Sequence, residues 1–155
     1  MTLLSPADDY VADDEVLYRS VAGDLRLFPL DGQGERRISS MAFNDAGRRP
    51  SVDRAILCPG GPTDSQLRFS RGSGVLLLVA KDIRQLTTVH GKTGSAYHVD
   101  VEPVPLPENI SHAEIFGRPP FDTDKVCDRI KQALARIASV GIPPTVLEAE
   151  ESRRT

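Results

Sequence analysis

Two histidines and three carboxylates stand at alternate positions in one short stretch of this chain. They are His98, Asp100 and Glu102 in YHVDVEP, and His112 and Glu114 in SHAEIFG. Residues two apart along an extended strand share a face. Each set would therefore line one side of a strand, with Val99, Val101, Ala113 and Ile115 on the other. If the two strands are neighbours, one surface collects all five polar groups. Imidazole beside carboxylate is the donor set of a divalent metal, or of a general acid–base pair. The same alternation is also how the wet face of an ordinary one-sided antiparallel sheet reads. Neither H-E-x-x-H nor a pair of C-x-x-C motifs occurs. His98, Asp100 and Glu102 are thus a metal alternative without a motif behind them, and no cofactor is called for.

The elements around that stretch must position it. Pro103, Pro105 and Pro107 remove backbone donors, so the run between the two strands is a crossing or wide turn, not a central strand. Upstream, EVLYRSV (15–21) reads as a first strand carrying Arg19, and RISSMAF (37–43) as a second, with DGQG (31–34) a turn between them. Ser51 is a good N-cap for a short helix SVDRAILC, with Asp53 in its first turn. DSQLRFS and KDIRQL read as helical turns, and GVLLLVA (74–80) as a buried strand. GSG (72–74) matches neither phosphate-cradling glycine pattern and reads as a plain loop. Val126, Ile130, Ala133, Leu134 and Ile137 repeat at helical spacing after a cap at Asp122 or Thr123, and Gly141 with Pro143 and Pro144 ends that helix.

The expectation is an α+β protein: a single, mostly antiparallel sheet of about five strands, covered by a C-terminal amphipathic helix and one or two short helices. An acidic arm (1–14) precedes one domain (15–141), and a charged tail (142–155) follows. With 155 residues, 39% hydrophobic and 26% charged, the chain is long enough for one real core. No apolar run approaches the roughly 20 residues of a membrane helix. The N-terminus lacks a basic region followed by an apolar one. Cys58 and Cys127 are unpatterned, which fits reduced thiols. A cytoplasmic protein is expected.

The net charge of −3 hides a gradient: residues 1–18 carry five acids and no base, whereas 19–92 carry twelve bases against seven acids. The middle of the chain could face a nucleotide or nucleic acid; the candidate binding residues are Arg37, Asp53 and Arg54 there and Asn109 further along.

RISSMAF, SVDRA and PLPENISHAEIFG together resemble a set of small bacterial proteins with an SS-x-AF, SVD and HA-x-I-x-G pattern, over residues 17–138. That resemblance carries no activity. By position it points at Arg19, Ser39, Ser40, Asp53 and His112. A looser similarity is to NAD-consuming toxins of the ADP-ribosyltransferase fold, of the RES type. It implies an arginine on an early strand (Arg19), a serine on the second strand (Ser39 or Ser40) and a later glutamate (Glu114 or Glu102). In such a site the guanidinium clamps phosphates, the hydroxyl positions ribose and the carboxylate stabilises an oxocarbenium-like state. No R-W-N-like segment follows the arginine, and aromatics that could stack a nicotinamide are few.

Two functions from different classes follow. The first is a non-catalytic accessory module that docks a protein partner or ligand. The second is an enzyme acting on a nucleotide or nucleic acid, with His112, Arg19, Ser39, Ser40 and Glu114 catalytic. Catalysis requires the polar residues to converge on one cavity; docking would scatter them.

Overall fold

The computed structural model describes residues 10–45, 49–70, 72–87, 97–120 and 124–145. Most of residues 1–14 and 142–155, residues 88–96, and Asp122 and Thr123, the expected cap of the last helix, lie outside them.

Six strands form one antiparallel sheet in the order β4-β5-β2-β1-β3-β6. They are β1 (Val16–Val21), β2 (Ser51–Arg54), β3 (Gly74–Val79), β4 (His98–Pro103), β5 (His112–Arg118) and β6 (Ser139–Ile142). Three helices accompany them, α1 (Pro62–Phe69), α2 (Ala80–Arg84) and α3 (Asp124–Ile137). The α+β class holds, with one strand more than expected. β6 had read as helix end and tail. It pairs with the outer edge of β3, and Thr145 N–H still reaches Gly72 O.

Alternation sorts the sheet into two faces. Leu17, Val21, Val52, Leu76, Leu78, Val99, Val101, Ala113 and Ile115 form the main core with Phe28, Phe43, Ile83, Ile130 and Leu134. Ile130 and Leu134 bring α3 onto this face, as its apolar stripe requires. On the opposite face a smaller cluster holds Tyr18, Cys58 and Val75, beneath α1, whose Ser65 is buried.

Two local readings are corrected. SVDR is a strand, not a helix start: it pairs with β1 on one side and β5 on the other. Two ladders outweigh a cap signal in a segment that ends in a one-turn 310 helix (Ala55–Leu57). SSMAF is not a strand: Ser39 Oγ accepts the Met41 N–H and caps a 310 turn, Ser40–Phe43, that buries Ala42 and Phe43. The turn at 31–34 is as read, with Gly34 at φ +80° and Asp31 accepting the N–H groups of Gln33 and Glu35. The arm is not loose throughout. Val11 is fully buried, and Arg54 and Arg84 bind the carbonyls of Tyr10 and Val11.

Candidate active site

β1 and β2 pair only at Leu17 with Arg54 and Tyr18 with Asp53. β1 stays on β3 through Val21, while β2 stays on β5 through Ser51. The sheet therefore parts at this seam, and the parting opens a cleft of about 520 Å³. Its size is that of a small-molecule site. Arg19, Ser51, Asp53, Asn109 and His112 all reach its wall.

The seam is held open by an ion pair. The Arg19 guanidinium donates to both carboxylate oxygens of Asp45, at 3.0 and 3.2 Å, to Ser51 O at 2.8 Å and to Ala42 O at 3.1 Å. Asp45 Oδ2 in turn accepts the Ser51 N–H at 2.7 Å. The pair thus takes the two main-chain groups with which Ser51 would have joined β1. Arg19 is 8% exposed and nearly all its donors are used, so it fixes the strand end and is not a phosphate clamp.

His112 begins β5 on the same wall. Its Nδ1 lies 2.8 Å from Val104 O and its Nε2 lies 3.2 Å from Ser51 Oγ. A carbonyl oxygen only accepts, so Nδ1 carries the hydrogen. In the neutral ring Nε2 is then a bare lone pair facing the Ser51 hydroxyl.

Deeper in the cleft Asp53 is the focus of a second network. Its carboxylate accepts Ser65 Oγ–H at 2.6 Å and Asn109 Nδ2–H at 2.8 Å, with Ser111 Oγ at 3.1 Å and Arg68 Nη1 at 3.3 Å. Ser65 Oγ also meets Ser20 Oγ at 2.9 Å. Tyr18, on the same wall, has its phenol pushed above its usual pKa by burial, reinforced by Cys58 and Asp64. Val21, Leu27, Met41 and Phe69 supply the apolar wall.

The other expected site residues lie elsewhere. Ser39, Ser40 and Arg37 line a separate, open hollow with Arg36 and Arg136, beyond the 310 turn. Arg54 is 1% exposed, clamped by Glu15 through Nε and Nη2 at 2.8 Å each. It is a core ion pair, out of reach of any ligand. Glu114 and Glu102 do share a face, opposite each other across β4 and β5, yet Arg49 joins both.

Asp100 is bound by Arg84 Nε at 2.7 Å, and His98 is exposed, 3.8 Å from Asp100. These carboxylates meet arginines, which a metal ion on this face would have to displace. Among the described residues no cluster of His, Cys, Asp and Glu could hold a metal ion, and no helix is long and apolar enough to cross a membrane.

Sequence reasoning missed Ser51, Asp45, Ser65, Ser111 and Arg68. Ser51 was visible only as a cap. The rest carry no spacing signal, because four separate segments meet only once the seam has formed. No family model, curated protein or solved structure matches the chain.

Proposed function

We propose that the cleft is the active site of an enzyme in which His112 takes up and returns a proton. The observation that carries this reading is the fixed imidazole: Nδ1–H on Val104 O, Nε2 toward Ser51 Oγ, on the wall of a ligand-sized cleft. Convergence of Arg19, Ser51, Asp53, Asn109 and His112 favours chemistry over docking, which asks for an apolar surface instead. A positioned base of this kind contributes about 10²- to 10⁴-fold to a rate. His112→Gln should remove that factor from turnover while the melting temperature stays near that of the parent. Turnover that survives His112→Gln would end the reading, as would a protein that no longer folds.

A second reading, consumption of NAD or another nucleotide, keeps one specific support. Ser51, at the head of the second strand, lines the cleft beside Arg19 of the first, although Arg19 is held by Asp45 and so gives the phosphates no clamp. Ser51 stands where the resemblance asked for Ser39 or Ser40. The glutamate role has no such match, since Arg49 holds Glu102 and Glu114; the carboxylates that line the cleft are those of Asp24, Asp45 and Asp53. Calorimetric titration with NAD, ADP-ribose and mononucleotides tests it. Heat that disappears in Asp53→Asn or His112→Gln supports it, and no heat across the panel ends it.

A further inference from the structure

We infer that Ser51 is a nucleophile and that its substrate is an uncharged carboxylic ester. The inference rests on the reading of the cleft as an active site and adds the attacking atom and the substrate class.

An alcohol becomes a nucleophile when a base stands within hydrogen-bond reach and a third group fixes that base. Ser51 Oγ, His112 Nε2 and Val104 O meet that requirement at 3.2 and 2.8 Å. The third group is a main-chain carbonyl where a carboxylate is more usual. It fixes the tautomer equally well but adds no charge to stabilise the imidazolium.

The serine is fixed too. Its N–H is held by Asp45 and its carbonyl by Arg19, so the attacking oxygen is carried on a strand end with little freedom. Asp45 and Arg19 are positioning residues for this step. A serine on an ordinary sheet face has no need of such a frame, nor of a cleft at its side.

Charge selects the substrate class. Both arginines of the wall already face carboxylates, Arg19 with Asp45 and Arg68 with Asp53, and Val21, Leu27, Met41 and Phe69 are apolar. A phosphate would have to break one of these pairs to find a counter-ion. A neutral acyl group has no such cost. Arg68, 36% exposed, and Asn44 also line the cleft and carry N–H donors that its carbonyl oxygen could use. Asn44 Oδ1 accepts from Lys131 Nζ, and among the described residues no hydrogen bond takes its NH₂.

The step balances without an outside oxidant or metal. Ser51 Oγ bonds to the acyl carbon as its proton passes to His112 Nε2, and the carbonyl π pair moves onto oxygen. Collapse of this intermediate breaks the C–O bond to the alcohol, which leaves with the proton from Nε2. Water then repeats the attack on the acyl-serine and releases the acid.

Treatment of the full chain with p-nitrophenyl acetate, and separately with a fluorophosphonate, tests this by intact mass and peptide mapping. We expect one acetyl or phosphonyl group per chain, on Ser51, and a burst of about one p-nitrophenolate. His112→Gln should slow the labelling about 100-fold or more. Ser51→Ala should abolish it, and Ser51→Cys should keep a labelled residue at 51 if the alanine variant folds poorly. Label on Ser20 or Ser65 in place of Ser51, or labelling of Ser51 as fast in His112→Gln as in the parent, overturns the inference. Absence of label alongside His112-dependent turnover of another substrate overturns the nucleophile and leaves the active site standing. Absence of both ends the two together.

Discussion

His112 reads from the sequence as a catalytic candidate and Arg54 as a binding one, and their surroundings separate them. His112 is half-buried on a cleft wall, with Nδ1 on the Val104 carbonyl and Nε2 toward the Ser51 hydroxyl. Its replacement by Ala should cost only about 1 kcal/mol, the worth of an ordinary hydrogen bond. A urea titration checks this. Arg54 is sealed in the core against Glu15, with Nη1 buried and unpartnered among the described residues. Arg54→Met leaves Glu15 as an uncompensated buried charge and should cost about 3–5 kcal/mol. Adding Glu15→Gln to it should recover a good part of that loss. A double variant no more stable than Arg54→Met alone would show that the pair is not what holds this corner. A charge seen in sequence says nothing of burial, which is why Arg54 read as a binding residue.

At the scale of elements, what was legible is what depends on periodicity. The alternation in HVDVE and HAEIF and the stripe Ile130, Ala133, Leu134 translate directly into β4, β5 and α3. What was not legible depends on partners. SVDR becomes a strand because β1 and β5 flank it. SSMAF becomes a 310 turn because Ser39 caps it and Phe43 finds the core. Ser139–Ile142 is carried as a strand by β3. That last seam is tight at Gly74, where an added Cβ would meet Pro144 Cδ at 3.0 Å and Ile142 O at 3.1 Å. Gly74→Ala should therefore loosen β6 and cost about 1–3 kcal/mol, as overpacking does. Faster amide exchange confined to 139–142 is the expected signature; unchanged protection there would mean that β6 absorbs the methyl group.

For the molecule as a whole, two long-range devices tie the sheet together. One is Arg84, which reaches Asp13 at 2.7 Å, Val11 O at 2.6 Å and Asp100 at 2.7 Å and so binds the N-terminal segment to the β4 edge. Burial alone would raise the Asp100 carboxyl. Hydrogen bonds from Arg84 and the Val101 N–H, with the charges of Arg84 and Arg118, outweigh it and hold the group below the usual carboxylate range.

A native pKa below the unfolded value of about 3.9 gives stability that is present above that pH and lost as pH falls through the native value. The stability gap between the parent and Asp100→Asn should thus be full at pH 6 and shrink below about pH 4. A gap independent of pH would contradict this.

The other device is the Arg19–Asp45 pair, which stands where β1 and β2 would otherwise close. The parted seam it maintains is what gives Ser51 and His112 a cleft to face. Their alignment, on which the catalytic reading depends, is read most directly from the imidazole nitrogens of His112 by ¹⁵N NMR of the neutral ring. A protonated Nδ1 with a bare Nε2, whose shift moves when Ser51 is changed to Ala, is the result expected here. A neutral ring protonated at Nε2, blind to that substitution, would contradict it.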